Sequence, residues 1–235
     1  MTSPALPKLS LHHGSSAIAI SQSEIVEDLP TTMKFQPVKI RAAPISDLWR
    51  KPPNTDVDNA PTVLISVPLN LHKFHSAKVT VSANWNTQYD QGGLVLFIPD
   101  EDTTKWVKTG IEFVSGAPKV STVAASRWAD WSIAPLPEAA NGKLTIQVER
   151  ETKGTERVES LWIYIVNEET GEKEGIREVT WWFRHDLEGG QKAHSHKSLL
   201  VGVYGARPSV PEGEGREKEE LVVNLDGFEV TMFED

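Results

Sequence analysis

The sequence predicts an all-β sandwich of two antiparallel sheets, and three observations predict it. Ten segments carry the residue types or the alternation of strands, turn residues punctuate the gaps, and only one short stretch reads as helix. Alternation of apolar and polar residues marks a half-buried strand, because successive side chains leave opposite faces. Many short strands with turns between them, and no interleaved helices, describe a sandwich rather than an α/β fold.

In chain order the strands are expected at Thr62 to Val67, Ala77 to Ala83, Gly93 to Pro99, Lys105 to Val114 and Lys119 to Ala125. They continue at Lys143 to Arg150, Val158 to Val166, Gly175 to Phe183, Leu199 to Gly205 and Leu221 to Phe233. Ala77-Lys78-Val79-Thr80-Val81-Ser82-Ala83 is the cleanest alternation. Turns are signalled by Asp90-Gln91-Gly92-Gly93, Ser115-Gly116-Ala117-Pro118, Asn141-Gly142 and Thr170-Gly171. Ser21 to Leu29 is the one candidate helix, stopped by Pro30. Residues 1–32 read as a polar, proline-containing arm, and 33–235 as a single sandwich domain. Arg184 to Lys197, rich in Gly, His and charge, and the acidic Pro208 to Glu220 read as loops.

Composition bounds the function. The 235 residues are 39% apolar with eight Trp, enough for a sizeable core, and 24% charged. Cysteine is absent, which favours a reducing compartment. No secretory signal and no run of about 20 apolar residues is present, so a cytoplasmic protein that neither spans nor anchors to a membrane is expected. The net charge of −9 argues against nucleic acid and anionic membranes as partners. A small-molecule ligand is the expected partner, and sandwich edges leave room for a homodimer.

The segment Lys105 to Val114 carries the most chemistry. Val107, Thr109, Ile111 and Phe113 share one face and belong to the core; Trp106, Lys108, Gly110 and Glu112 share the other. Lys108 and Glu112 are about 13 Å apart along an extended chain, too far to pair directly. Gly110 between them leaves room for a ligand. In Val158 to Val166, Ser160, Trp162 and Tyr164 oppose the apolar Leu161, Ile163 and Ile165. Aromatic rings beside charged groups suit a sugar, whose C–H face stacks while its hydroxyls find polar partners. Asp90 and Asp130 either contact a ligand or cap turns.

The runs Tyr89-Asp90-Gln91-Gly92-Gly93-Leu94-Val95-Leu96, Lys105 to Phe113, Ser121-Thr122-Val123 and Asp130-Trp131-Ser132 together resemble one family pattern. It is the regulation-of-enolase-like family of concanavalin A-like jelly rolls, and Leu48-Trp49-Arg50 and Val201 to Pro208 are similar to its flanking motifs. The resemblance covers about Ile45 to Phe233 and implies a concanavalin A-like jelly-roll sandwich in a cytoplasmic setting. It brings no catalytic set. Glycosidases of the wider superfamily place carboxylates as Glu-x-Asp-x-x-Glu, and no Glu-x-Asp occurs here.

Three functions stay open. The first is a binding protein for a carbohydrate or similar hydroxylated metabolite in the groove of one curved sheet, using Trp49, Arg50, Tyr89, Gln91, Trp106, Trp162, Tyr164 and Arg177. The second is a lyase, isomerase or cyclase with Glu112 or Asp90 as acid/base and Lys108 or Arg177 stabilising negative charge, under a lid formed by Arg184 to Lys197. The third is a regulator that binds a metabolic enzyme. No cofactor is expected, and His194-x-His196 and His12-His13 are too few ligands for a metal site.

Overall fold

Two large antiparallel sheets face each other in the computed structural model, which describes residues 6–13, 24–26, 28–100, 103–137, 140, 142–184 and 197–234. The strands are β1 (Leu9–His13), β2 (Thr32–Lys34), β3 (Val38–Ala42), β4 (Leu48–Lys51), β5 (Thr55–Asp58), β6 (Pro61–Ile65), β7 (Leu69–Asn70), β8 (Phe74–Ser82) and β9 (Gln91–Ile98). They continue as β10 (Lys105–Val114), β11 (Ala117–Ala125), β12 (Ala129–Pro135), β13 (Lys143–Lys153), β14 (Glu156–Val166), β15 (Lys173–Val179), β16 (Ser198–Ala206) and β17 (Leu221–Met232).

The first sheet runs β1-β6-β16-β9-β10-β11-β12, with β7 beside β16; the second runs β15-β14-β13-β8-β17-β2, with β3 beside β17. The expected all-β jelly-roll sandwich is therefore the fold. The main core lies between the sheets and includes Val107 and Ile111 from β10, Val79 and Val81 from β8, and Ile146 and Val148 from β13. Each comes from one side of an alternating strand, so burial follows the pleat.

β1 alters one expectation. It pairs with β6, His12 opposite Thr62, so part of residues 1–32 is an edge strand of the first sheet rather than a free arm. The candidate helix Ser21 to Leu29 falls partly outside the described residues, and 24–26 and 28–29 are not helical. His194, His196 and most of Arg184 to Lys197 also lie outside them.

The feature that shapes the site is a separate hairpin of β4 and β5. Such a short hairpin holds its shape only when packed on something larger. It lies on the outer face of the first sheet, where Leu48 joins a second apolar cluster with Trp106, Phe97, Val95, Val123, Leu200 and Tyr204. Arg50 fixes it there, donating from Nη1 to the carbonyls of Thr104 (2.8 Å) and Ser126 (2.9 Å). Those carbonyls flank the open end of the β10–β11 pair.

Candidate functional site

Register places the site residues on the outer face of the first sheet. Across β9, β10 and β11, Glu112 stands between Gln91 and Lys119, Gly110 between Gly93 and Ser121, and Lys108 between Val95 and Val123. On either side, Tyr204 of β16 pairs with Gly93, and Trp131 of β12 pairs with Val123. Val107, Ile111 and Phe113 point the other way, as the alternation predicts.

The centre of this face carries no side chain. A Cβ on Gly93 would come within 2.0 Å of the Thr109 carbonyl oxygen, and one on Gly110 within 2.1 Å of that of Gly92. Backbone atoms at such distances cannot give way, so glycine is required at both positions. The lane over Gly110 is taken by the protein itself. Lys108 Nζ reaches Gln91 Oε1 at 2.6 Å and Asp47 Oδ1 at 3.3 Å, although Gln91 is the cross-strand partner of Glu112 and not of Lys108. The lysine stem must therefore run along the strand, and no direct Lys108–Glu112 ion pair forms.

The Lys108 ammonium is enclosed. It lies 5.9 Å from the ring centroids of Trp49, Trp106 and Tyr204, within the range where a ring face attracts a cation. Tyr204 Oη donates to Gln91 Oε1 at 3.3 Å, and Gln91 Nε2 donates to the Tyr89 carbonyl at 3.2 Å. Burial, with Glu112 and Asp47 adding to it, holds the Tyr204 phenol well above its ordinary range.

Glu112 closes the cluster. Ser121 Oγ donates to its Oε2 at 2.6 Å, and Trp131 Nε1 donates to Ser121 Oγ at 3.0 Å. Burial pushes the Glu112 carboxyl up, against the opposing pull of Lys108 and the Ser121 hydroxyl. Over these groups stands an arch of rings: Trp131 meets Trp49 at 6.2 Å and Tyr89 at 6.3 Å, both edge to face. Tyr89 and Trp131 are 39% and 36% exposed, whereas Lys108 and Glu112 beneath them are 2% and 6% exposed.

Backbone strain falls in the same place. Ile45 (φ 67°) stands two residues before Asp47, and Tyr89 (φ 68°) two residues before Gln91. A β-branched residue in the left-handed region is a rare outlier. Such strain persists only where surrounding structure enforces it, and it concentrates at functional sites. Here Arg207 enforces it. Its backbone N–H donates to Ser46 Oγ (3.0 Å), while its guanidinium grips Asp90 through Nε and Nη2 at 2.8 Å each.

That grip corrects one expectation. Asp90 is fully buried, accepts from the Asn86 and Thr87 amides and pairs with Arg207, so its carboxylate holds a turn rather than facing the arch. Trp106 is likewise buried under the hairpin, so the expected open hollow is closed at that end. Arg50 is engaged in securing the hairpin. Trp162, Tyr164 and Arg177 belong to the second sheet, remote from β10. Trp162 and Tyr164 stack on each other at 6.1 Å on its outer face, and Arg177 binds Asp130 at 2.7 Å, joining edge strands of the two sheets. Of the expected residues, the structure brings together Lys108, Glu112, Gln91, Tyr89, Trp49 and Trp106.

Asp47, Ser121, Trp131 and Tyr204 also belong to the site, and the sequence pattern assigns them no role. Alternation gave a signal for two of them: Tyr204 opposes the core residue Val203, and Ser121 the core residue Val120. Asp47 sits in a connection and offered none.

Fold and site together define a concanavalin A-like jelly-roll sandwich with a buried polar cluster on one outer face. The chain belongs to the family described as protein of unknown function (DUF1349), which matches residues 29–232. That description does not carry the regulation-of-enolase name suggested by the motifs. An uncharacterised protein of Emericella nidulans, AN7484, is 42% identical over 187 residues, 79% of this chain and 82% of its own. A functionally unknown protein from Saccharomyces cerevisiae has the same fold at TM-score 0.60 and 20% identity, over 86% of this chain and 92% of that one. The catalytic domain of an endo-1,3-beta-glucanase (laminarinase) from Thermotoga petrophila superposes at TM-score 0.52 and 10% identity, over 97% and 91%. Likeness this distant shows the fold alone. Among the described residues no helix is long and apolar enough to cross a membrane.

Proposed function

We propose that this protein binds a small hydroxylated ligand, a carbohydrate or a chemically similar metabolite, at the Glu112 end of the first sheet's outer face, in a cytoplasmic setting. One observation carries the reading: the arch of Trp49, Trp131 and Tyr89 over a carboxyl and an ammonium kept out of water. Desolvating such groups costs stability unless they are paired, and here the pairing is assembled from several separate segments. A pyranose ring fits the arch through its C–H face, and its hydroxyls suit the Glu112 carboxyl and the Ser121 hydroxyl. Lys108 is already neutralised by Asp47 and enclosed by rings, so the site favours a neutral ligand over an anion.

The test is titration of monosaccharides and oligosaccharides against intrinsic Trp fluorescence, with Trp131→Ala and Glu112→Gln as controls. Each variant should weaken binding about tenfold or more, near 1.4 kcal/mol. Unchanged affinity in both would remove the site from consideration.

A second reading, acid/base catalysis on the same ligand class, is favoured by the raised Glu112 carboxyl, since a general acid must hold its proton near neutral pH. Turnover with a basic pH limb that vanishes in Glu112→Gln would establish it.

A further inference from the structure

A carbohydrate chain can lie across a sheet in two ways: threaded through a groove open at both ends, or inserted by one end into a site with a back wall. The outer face of the first sheet has such a wall. Beyond Lys108 the face is filled by Trp106, Phe97, Leu200 and Ala125, and Leu48 and Ala60 close over them. The wall is fastened, because Arg50 ties the hairpin to the carbonyls before β10 and after β11. Along a second side runs the segment 44–47. Pro44 bridges to Arg207, Ser46 N–H donates to the Arg207 carbonyl at 3.3 Å, and Asp47 reaches inward to Lys108. At the opposite end from the hairpin, the Tyr89 turn is held by its N–H on the Phe113 carbonyl at 2.8 Å. The remaining side is the edge strand β12, which contributes Trp131.

Resting on the carbohydrate reading above, we infer that the site is blind: it takes the terminal unit of a saccharide, or a free monosaccharide, and excludes internal segments of a chain. The ligand enters at the arch past Trp131 and ends against the Lys108 cage. A continuous chain would need an exit where Trp106 and Leu48 now pack. The solid wall thus sets specificity by length and by chain end, independently of which hydroxyls the polar groups read.

The experiment compares linear with ring-closed glucans, which share linkage and composition but differ in having ends. Maltohexaose is paired with α-cyclodextrin, and laminarihexaose with a cyclic β-glucan, with free glucose and galactose as one-unit probes; binding is read by calorimetry and Trp fluorescence. The expected result is binding of at least one linear or one-unit probe and at least tenfold weaker binding of its ring-closed counterpart. Ring-closed and linear probes binding within twofold of each other would overturn the blind site while leaving a carbohydrate surface in place. No binding by any probe would overturn the carbohydrate reading itself, and this inference with it. Arg50→Ala loosens the hairpin that carries both the wall and Trp49 of the arch, so overall affinity should fall while the ratio between linear and ring-closed probes narrows; a ratio unchanged in a folded variant counts against the hairpin as the barrier.

Discussion

The two outer faces of the sandwich look alike in sequence and differ in physics. One carries Trp106, Lys108 and Glu112; the other carries Trp162, Tyr164, Glu149 and Lys173. Both alternate aromatic and charged residues against an apolar inner face. On the second sheet the groups remain half-exposed: Lys173 Nζ sits 5.1 Å over the Tyr164 ring and pairs with Glu149 at 2.6 Å in contact with water. On the first sheet a hairpin and two strained turns cover the same kinds of group and remove them from solvent. The pleat decides which face a side chain takes, but a cover supplied from elsewhere in the chain decides whether that face becomes a site.

Charge deletion should break the symmetry most strongly. Asp90→Ala removes the partner of a guanidinium buried behind the first face and should cost about 3–5 kcal/mol in chemical denaturation. Glu149→Ala, the corresponding deletion on the second face, should cost less than about 1 kcal/mol, as solvated pairs do. Comparable losses would mean that the pair behind the first face is as solvated as the pair on the second. Aromatic truncation should separate them next. Trp106→Ala empties a packed position and should cost about 3–5 kcal/mol, whereas Trp162→Ala, only partly buried, should cost about half of that or less.

The smallest effect is a pH dependence. Glu112 has its folded pKa raised above 4.5 by burial, so the folded protein holds that proton more tightly than the unfolded chain. Its stabilisation is complete below the unfolded value and fades as pH rises through the folded one. Glu112→Gln should therefore gain stability relative to the parent between pH 4 and neutrality. A gain that shrinks as pH rises, measured by melting across that range, would show that burial does not govern this carboxyl.

Much of this was legible in the sequence. β10 runs from Lys105 to Val114 as its alternation predicts, and its inward and outward sets are those expected. What could not be read was partnership. Nothing in Val158 to Val166 says that it joins the other sheet, so alternation alone groups Trp162 and Tyr164 with residues they do not meet. Asp90 has its guanidinium partner 117 residues away, beyond any local pattern. β4 and β5 are four residues each, and Thr55-Asp56-Val57-Asp58 is too acidic and short to stand out as a strand. Their importance comes from docking, which is a tertiary property.

The Arg50 attachment has a consequence for how the molecule assembles. Its two acceptor carbonyls are brought side by side only once β10 and β11 have zipped up to their open end, so the hairpin has no seat earlier. It should dock late in folding and, with little of its own core, detach first when the native state fluctuates. Amide exchange in β4 and β5 would then outpace that of β9 and β10. The same element that walls the candidate site would be a weak seam of the fold.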